Sequence, residues 1–402
     1  MTVHIFLLGQ STETVWGLTP TQRLQRSLKQ RTDVSLIEQP SAWPEQGDVL
    51  LLRTDYLYDA RVLDGLIERQ DALVLLDPRS DRVVAARASS ARWQASVPAQ
   101  HAFATLLEQA LPADWPRLTP ETVASGFQER LRKADRPWVV ALTASNRQQV
   151  EHALFDGAYK GVTDFVTRFA WPHPARRVTG WCVRLGLQPN HVTAMSYLLT
   201  ILATIGFWHG EYAWSLLAAW LMTFLDTVDG KLARVTLTAT RFGNYFDHLL
   251  DLLHPPFWYL AWGVGLASWQ FSVAVETVII IIFAGYIVGR LCEGAFTWMT
   301  SFSMFVWRPL DSVNRLITAR RNPNLLILTI AWLLGQGDIG LLLVAVWTVL
   351  STLLLLLRLL LAIVVKQRVG ELTPWLSQVD GSQGNPPLLV RMFSPGRSLA
   401  DV

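Results

Sequence analysis

Four aspartates lie close together in the second half of the chain, in the segment DTVDGKLARVTLTATRFGNYFDHLLD that begins at Asp226. Asp226 and Asp229 are three residues apart, and Asp247 and Asp251 are four apart, so each pair shares one face of a helix. Ionised carboxylates repel one another and are costly near a bilayer, so the cluster requires a counter-charge. Apart from His248, the candidate ligands are oxygens, which favours a hard cation such as Mg²⁺ or Mn²⁺ over zinc. Such a cation would suit a diphosphate substrate.

Small residues accompany these carboxylates. Gly230 follows Asp229, Ala233 lies one turn later on the same side, and Gly243 precedes the second aspartate pair. A backbone without bulky side chains lets a nucleotide or a diphosphate approach closely. Glycine and alanine in membrane helices also serve tight helix packing, and that alternative remains open.

The elements that position the cluster are predicted to be membrane helices. Of the 402 residues, 51% are hydrophobic and 17% are charged, whereas soluble proteins have about 25% charged residues. Charges are spread through residues 1–185, and long apolar runs fill residues 192–365. We expect six membrane helices, the fifth of them short for a bilayer. They are placed at about 191–208, 212–234, 245–268, 271–290, 324–336 and 339–366.

Basic residues predict how these helices are oriented. The turns at 209–211, 268–270 and 335–338 contain no Lys or Arg. The opposite side of the helices carries Lys231, Arg234, Arg241, Arg290, Arg308, Arg315, Arg320, Arg321, Lys366 and Arg368. By the positive-inside rule, both termini and the aspartate segment of this integral membrane protein face the cytoplasm. The N-terminus also lacks the pattern of a signal peptide.

Charge and cysteine usage exclude some other classes. The net charge is +3 and no Lys/Arg run of the kind that marks a nucleic-acid site occurs, so a nucleic-acid partner is not expected. Cys182 and Cys292 are too few for a thiolate metal site, and cytoplasmic thiols are expected to stay free.

The N-terminal part, residues 1–145, has the pattern of an α/β domain with an open, mostly parallel sheet. Short apolar runs predict strands at 3–8, 48–52 and 72–76, with two more at 83–86 and 138–142, and a helix at 20–30. The fold class is therefore an α/β domain followed by an all-α, six-helix transmembrane domain at 189–368.

Two further segments complete the predicted organisation. Residues 146–188 alternate aromatic and basic side chains, which is typical of helices at the headgroup level of a membrane. An ordinary helix packed on the first domain is the alternative. Residues 369–402 are rich in Pro, Ser and Gly and are expected to form a mobile cytoplasmic tail.

A family resemblance emerges from these motifs. The pattern Asp226-x-x-Asp229-Gly230-x-x-Ala233-Arg234, followed after eight residues by Gly243-x-x-x-Asp247-x-x-x-Asp251, resembles the complete signature of the CDP-alcohol phosphotransferases. The Pro189-Asn190-x-Val192-Thr193 start of the first membrane helix is also similar to that family. The resemblance covers roughly residues 155–366.

The resemblance implies a reaction and a set of roles. The enzyme would move a phospho-alcohol or phosphatidyl group from a CDP-alcohol to an acceptor hydroxyl, releasing CMP, with two Mg²⁺ or Mn²⁺ ions. The implied metal ligands are Asp226, Asp229, Asp247 and Asp251, and Asp251 is also the implied general base. Gly230, Ala233 and Gly243 would border the cytidine and diphosphate, and Arg234 would face a phosphate or be structural. A homodimer is implied as well.

The donor and the acceptor stay open. CDP-diacylglycerol with a soluble alcohol such as an inositol or glycerol phosphate is one pairing, and a CDP-linked small alcohol with a lipid acceptor is another. Arg290, Arg320 and Arg321 are candidates for substrate phosphate, since arginine suits bidentate capture of phosphate. A positive-inside loop anchored by aromatics is the alternative for that stretch. Arg358, in a leucine-rich helix, is expected near the active-site cavity.

The N-terminal domain faintly resembles the nucleotidyltransferase domains of bifunctional inositol-lipid enzymes. The traces are Leu7-Leu8-Gly9, Gly17-Leu18-Thr19-Pro20 and Arg53-Thr54-Asp55, but the sequence Gln10-Ser11-Thr12-Glu13-Thr14 replaces the phosphate-binding glycine-rich loop. We therefore interpret the domain as degenerate. A bifunctional enzyme that also makes its own CDP-alcohol is one alternative, and a noncatalytic metal-binding scaffold or transporter is another.

Overall fold

The structure, a computed structural model, describes residues 2–29, 31–37, 43–96, 103–108, 111–379, 387–394 and 398–402. In the helix that spans 241–264, the side chains of residues 241, 242 and 244–250 are outside the description. The predicted metal ligand Asp247 and its neighbour His248 therefore lie outside the described residues.

The N-terminal domain is built on ten short strands in its described part. They are β1 (Val3–Leu8), β2 (Val34–Ile37), β3 (Asp48–Arg53), β4 (Tyr56–Tyr58), β5 (Leu73–Leu76), β6 (Val83–Ser89), β7 (Arg117–Leu118), β8 (Phe127–Gln128), β9 (Lys133–Ala134) and β10 (Val139–Ala141). Six of them form one sheet in the order β2-β1-β3-β6-β5-β7. Among these six, only β6 runs antiparallel to its neighbours. The predicted α/β class is confirmed, with a mixed sheet.

Helices cover both faces of this sheet. They are α1 (Pro20–Leu28), α2 (Ala60–Glu68), α3 (Ser90–Ser96) and α4 (Pro120–Val123). Successive residues of β3 point to opposite faces, so Leu50 and Leu52 pack with α1 and α2 while Val49 and Leu51 pack towards Trp93 of α3. Because both faces are covered, the strand reads as an unbroken apolar run rather than an alternating one.

The remaining strands lie outside the main sheet. The strand expected at 138–142 is β10, but it pairs antiparallel with β4 in a separate two-stranded sheet. Strands β8 and β9 form a small hairpin, which the sequence did not predict because two-residue strands have no periodicity to detect.

The helical part follows from residue 147. Its helices are α5 (Arg147–Gly157), α6 (Pro172–Arg184), α7 (Pro189–Trp208), α8 (Tyr212–Val235), α9 (Arg241–Val264), α10 (Val275–Thr300), α11 (Pro309–Ile317), α12 (Arg321–Leu333), α13 (Gly337–Val369) and α14 (Leu388–Phe393). A π-helical turn at Val166–Ala170 precedes α6. Helix α7 packs along α8 and α9, and α13 packs along α10 and α12.

The prediction of six membrane helices needs correction. In the part of the chain that the structure describes, three helices are long and apolar enough to cross a membrane, namely α7, α10 and α13. Helix α12 has 13 residues, fewer than the roughly 20 that a bilayer requires. Helix α8 has the length, but its last turns carry Asp226, Asp229, Lys231 and Arg234.

The connecting segment 146–188 divides into two halves. Phe155 and Tyr159 are buried beside Trp16 of the N-terminal domain, as the packed-helix alternative required. Phe165, Phe169 and Trp181 are about half exposed, and the headgroup location of this half stays a prediction.

The tail after Gly370 was expected to be mobile, but its described residues pack on the rest of the protein. Leu376 and Phe393 are buried in the cluster around Phe296 and Phe305. Leu399 is buried against the N-terminal domain, where the Ser398 hydroxyl donates to Asp135 at 3.0 Å and Arg136 pairs with Asp401. The tail contains enough large apolar residues to bury, which its overall composition obscured.

Candidate active site

Two of the predicted aspartates converge on one arginine. Nη2 of Arg321 lies 2.5 Å from Oδ2 of Asp226, and Nη1 lies 2.6 Å from Oδ1 of Asp251. Asp226 belongs to α8, Asp251 to α9 and Arg321 to the first turn of α12, so three helices meet here. The arginine supplies the counter-charge that the carboxylate cluster requires. The Asp251 side chain is 38% exposed and the Asp226 side chain 16%, so Asp251 is the more accessible.

The helices that carry these aspartates are joined by a short turn. Helix α8 ends at Val235, and Leu237 follows with a φ of 54°, which reverses the chain direction. The hydroxyl of Thr240 then accepts a hydrogen bond from the Gly243 amide and caps α9. A Cβ on Gly243 would lie 2.9 Å from that hydroxyl oxygen, so a side chain here would displace the capping hydroxyl.

Asp229 lies deeper than the other two. It is buried, and its Oδ2 is 2.7 Å from the hydroxyl of Thr193, which also lies 3.0 Å from the Pro189 carbonyl oxygen. Thr193 and Pro189 belong to the motif at the start of α7. The motif therefore orients an aspartate of the next helix.

A cavity of about 410 Å³ opens beside these carboxylates. Among its described lining residues, eight side chains are basic and four are acidic, so the cavity carries an excess of positive charge. The charged lining residues are Arg132, Lys160, Lys231, Arg234, Arg290, Arg315, Arg320, Arg321, Asp164, Asp226, Asp251 and Glu293. Such a surface suits a strongly anionic ligand.

Three arginines form one wall of the cavity. Glu293 holds two of them, because Oε1 accepts from Arg290 at 2.6 Å and Oε2 pairs with Arg320. The guanidiniums of Arg315 and Arg320 lie 5.5 and 5.3 Å from the ring centre of Phe305. Nε and Nη1 of Arg315, which is buried, have no hydrogen-bond partner among the described residues. Burial, followed by the neighbouring Arg320, lowers the pKa of Arg315 well below its ordinary value.

A polar network supports the start of α12. Asp164 accepts hydrogen bonds from the Thr167 amide at 3.0 Å, the Thr167 hydroxyl at 2.9 Å and the Asn322 side chain at 2.9 Å. Burial alone would raise the pKa of Asp164, but the charge of Arg315 and these hydrogen bonds lower it below its ordinary value. Because Asn322 follows Arg321, the network fixes the backbone that presents the bridging arginine.

Lys160 lies on the same cavity as the aspartates. Burial, together with the positive charges of Arg132, Arg234 and Arg315, lowers the pKa of Lys160 to about 8. The lysine therefore changes charge near physiological pH.

The other predicted site residues are only partly brought together. Gly230 and Arg234 line the cavity, as do Arg290, Arg320 and Arg321. Ala233 and Gly243 are not among the lining residues that the structure describes.

Arg358 lies elsewhere than expected. Its Nε and Nη2 lie 2.6 and 2.8 Å from the two carboxylate oxygens of Asp311, and its guanidinium lies over the Trp307 ring. It is not among the described residues of the cavity wall. A buried partner on α11 explains a cation at this depth without involving the cavity.

Sequence reasoning missed Arg132 and Lys160 as candidate site residues. Arg132 lies in the β8–β9 hairpin of the N-terminal domain, and Lys160 in the connecting segment. Neither position belongs to a motif. The one signal was the alternation of basic and aromatic residues around Lys160, which suggested a membrane surface instead.

No group of three or more His, Cys, Asp or Glu side chains arranged to hold a metal ion is found among the described residues. The fourth predicted ligand, Asp247, is outside that description. The described donors are carboxylate oxygens from two facing helices, a set that fits a hard divalent cation.

Comparisons with known proteins concern mainly the helical part. Residues 187–364 match the family model described as CDP-alcohol phosphatidyltransferase. The family match begins after the N-terminal domain, whose nucleotidyltransferase resemblance therefore stays a prediction.

Two curated relatives share part of this chain. An archaetidylinositol phosphate synthase of Pyrococcus horikoshii is 32% identical over 80 residues, which is 20% of this chain and 43% of the relative. A phosphatidylinositol phosphate synthase of Streptomyces avermitilis is 32% identical over 88 residues, 22% of this chain and 34% of the relative. The chain thus spans less than half the length of either relative. Residues 187–364 are similar to the CDP-alcohol phosphatidyltransferases, which supports a transferase of this kind.

Proposed function

We propose that this protein transfers a phosphatidyl or related phospho-alcohol group from a CDP-alcohol to the hydroxyl of an acceptor that itself carries a phosphate, with release of CMP. The observation that carries the proposal is that one cavity joins the paired carboxylates Asp226 and Asp251 to the arginine wall. The carboxylate end suits a diphosphate with its metal ions, and the arginine end suits a second anionic group.

The unfilled donors of the arginine wall favour a phosphorylated acceptor. Nε of Arg290, Arg315 and Arg320 has no hydrogen-bond partner among the described residues, although all three atoms are buried. Buried donors without partners are costly, and a phosphate group with several acceptor oxygens would satisfy them. An acceptor with only a neutral hydroxyl would leave them unfilled.

The relatives suggest which acceptor this is. Their names identify them as synthases of phosphatidylinositol phosphate and archaetidylinositol phosphate. We therefore propose a CDP-linked lipid, such as CDP-diacylglycerol, as the donor and an inositol phosphate as the acceptor. A CDP-linked small alcohol with a lipid acceptor is the competing pairing.

Asp226, Asp229, Asp247 and Asp251 would hold two Mg²⁺ or Mn²⁺ ions. When bound, these ions would neutralise the diphosphate and stabilise the charge that develops on it. Arg321 contacts both Asp226 and Asp251. When those carboxylates bind metal, Arg321 would lose these ion pairs and could contact phosphate oxygens instead. The buried Thr193–Asp229 contact would keep that carboxylate in place.

Asp251 would accept the proton of the acceptor hydroxyl. Its side chain is more exposed than that of Asp226, the other aspartate that contacts Arg321, so an incoming hydroxyl can reach it. The oxygen freed of its proton then attacks the β-phosphorus of the CDP-alcohol, the bond from phosphorus to the bridging oxygen breaks, and CMP leaves. Gly230 leaves space for the diphosphate on the cavity wall, beside Arg234. We also propose that the cavity faces the cytoplasm and that the protein forms a homodimer.

A CMP-release assay with purified protein in detergent tests the proposal. It combines CDP-diacylglycerol, or a CDP-linked small alcohol, with inositol phosphate, glycerol phosphate, unphosphorylated inositol or a lipid alcohol, in the presence of Mg²⁺ or Mn²⁺. Asp251→Asn is compared with Asp338→Asn, the same change in the first turn of α13, where the carboxylate accepts a hydrogen bond from the Ile339 amide.

We expect CMP release only when donor and phosphorylated acceptor are both present. The loss of a general base typically costs about 100- to 10,000-fold in rate, so Asp251→Asn should be nearly inactive and Asp338→Asn fully active. Equal activity with unphosphorylated inositol would contradict the acceptor assignment. No CMP from any pair would refute the proposed reaction.

A further inference from the structure

The β8–β9 hairpin of the N-terminal domain reaches the cavity of the membrane part. The turn of this hairpin is Glu129–Arg132, and Arg132 is one of the residues that line the cavity beside the carboxylates. The other basic residues of the cavity wall come from residue 160 onwards. Among the described lining residues, Arg132 is thus the one basic side chain that the N-terminal domain contributes to the cavity.

Contacts with the segment around Gly161 hold the hairpin in this place. The Gly161 amide donates to the Leu131 carbonyl at 2.8 Å, and the Val162 amide donates to the Arg132 carbonyl at 3.2 Å. A Cβ on Gly161 would lie 2.1 Å from the Phe393 carbonyl oxygen and 2.7 Å from that of Arg132. Only glycine permits this close approach, so the position of the hairpin is specified by the sequence of the helical part.

Arg132 itself is in an unfavourable state. Its φ of 51° is in the left-handed region, which side chains other than glycine, asparagine and aspartate seldom adopt. Its guanidinium has no hydrogen bond or ion pair with any residue in the described ranges. Glu293, the nearby carboxylate, is already shared by Arg290 and Arg320.

A cation held in a strained turn at a cavity, without a hydrogen-bonding partner among the described residues, indicates a ligand. The positive charge of Arg320 lies close enough to Arg132 to lower its pKa, after the larger effect of burial, to about 10. Two neighbouring guanidiniums repel one another unless an anion lies between them. The same pair offers several N–H donors to the oxygens of a phosphate group.

We propose that Arg132 is a substrate-binding residue, supplied by the N-terminal domain, that contacts the phosphate group of the acceptor together with Arg320. The inference rests on the proposed function and deepens it. The acceptor site is then composite, and the N-terminal domain takes part in substrate recognition even if it performs no chemistry of its own.

Two matched substitutions in the same hairpin test the inference. Arg132→Gly removes the side chain and suits the positive φ, whereas Arg130→Gly removes an exposed arginine two residues away. The KM for the acceptor and the KM for the CDP-alcohol are measured by CMP release. Protection against thermal unfolding by inorganic phosphate is measured in parallel, without donor or metal.

We expect Arg132→Gly to raise the acceptor KM by about 10- to 100-fold, the effect of losing charge-assisted hydrogen bonds to one anion. The donor KM should change less than twofold, phosphate protection should be lost, and Arg130→Gly should match the wild type. An acceptor KM that is equal in the two variants would overturn the inference.

The two proposals can fail separately. If the wild type releases no CMP, the proposed function fails. The role of Arg132 is then tested only by the protection that inorganic phosphate gives against thermal unfolding. Equal phosphate protection of the wild type and Arg132→Gly then overturns the inference. If Arg132→Gly does not fold, Arg132→Lys replaces it, since lysine keeps the charge but loses the planar fork. A several-fold higher acceptor KM supports the inference, and an unchanged KM overturns it.

Discussion

Nη1 of Arg321 lies 2.6 Å from Oδ1 of Asp251, and the second nitrogen of the same guanidinium contacts Asp226. In the absence of a divalent cation, this arginine is the charge that keeps the two carboxylates together. A bound cation would take over that role, so the contribution of Arg321 to stability should depend on metal.

Replacing Arg321 with glutamine should therefore destabilise the metal-free protein more than the metal-loaded one. Hydrogen bonds to charged groups contribute about 2 kcal/mol, so the free energy of unfolding should fall by about that amount in EDTA. In millimolar Mg²⁺ the loss should be much smaller. Thermal unfolding in detergent, followed with and without Mg²⁺, measures both values. The same loss under both conditions would show that Arg321 does not exchange its role with a metal.

Lys160 should make acceptor binding depend on pH. Its pKa is lowered to about 8 by burial and by Arg132, Arg234 and Arg315, against the opposite effect of Asp226. The protonated lysine attracts a phosphate group, so this attraction is complete well below pH 8 and is lost as the pH rises through that value. The acceptor KM should accordingly rise between pH 7 and pH 9.

Two variants separate Lys160 from other groups that titrate in this range. Lys160→Arg should keep a flat acceptor KM up to pH 9, because a guanidinium stays protonated. Lys160→Met should give a high acceptor KM at every pH. A pH dependence that persists in both variants would assign the titration to another group.

Arg358 should matter for stability and not for substrate binding. It pairs with Asp311, whose side chain is only 2% exposed, and removing one partner of a buried ion pair costs about 3–5 kcal/mol. We expect Arg358→Met to lower the unfolding temperature clearly, while the KM values of the folded fraction stay within twofold of the wild type. Steady-state kinetics beside thermal unfolding measures both. A selective rise in one KM would return Arg358 to the substrate site, where its sequence position first suggested it.

The turn between the two aspartate-bearing helices should depend on the N-terminal domain. Arg23 and Arg26 of α1 donate to the carbonyl oxygens of Val235 and Thr236, both at 2.7 Å. Cations at the end of a helix satisfy its last carbonyls and complement its dipole. We expect the double variant Arg23→Ala with Arg26→Ala to lower the rate of CMP release about tenfold. The two lost hydrogen bonds would raise the activation free energy by about 1–2 kcal/mol, because the aspartates are less well oriented.

A surface arginine of the same domain provides the control. Arg92 forms an exposed ion pair with Asp114, and Arg92→Ala should leave the rate unchanged. Amide hydrogen exchange of residues 232–240 should become faster in the double variant only. If exchange and rate both stay at the wild-type level, the contacts of α1 do not orient the aspartates.

The features that sequence could predict are those with local signals. The strand at Val3–Leu8 was expected with its observed bounds, because an unbroken apolar run defines it. Asp226 and Asp251 were identified from helical spacing together with the family signature, and both line the cavity, while their roles stay predictions. The helix at Pro20–Leu28 carries a capping box between Thr19 and Gln22 that fixes its start.

The features of the fold and site that could not be predicted from sequence depend on contacts between segments that are far apart in the chain. Arg132 reaches the cavity because a hairpin packs on Gly161, and no residue near Arg132 in sequence indicates that. Arg358 was placed at the cavity because its partner, Asp311, is 47 positions away. The count of six spans was too high because it included helices with charged last turns, such as α8, and helices too short for a bilayer, such as α12.

The packing of residues 398–402 on the N-terminal domain makes the folding of that domain depend on residues that are synthesised much later. These residues are synthesised after the whole helical part, yet Leu399 fills the core beside Val15 and Val140, and Ser398 bonds Asp135. The N-terminal domain therefore stays incomplete until the helices that follow it have been made. A chain that stalls before residue 398 would therefore leave apolar core residues of that domain uncovered.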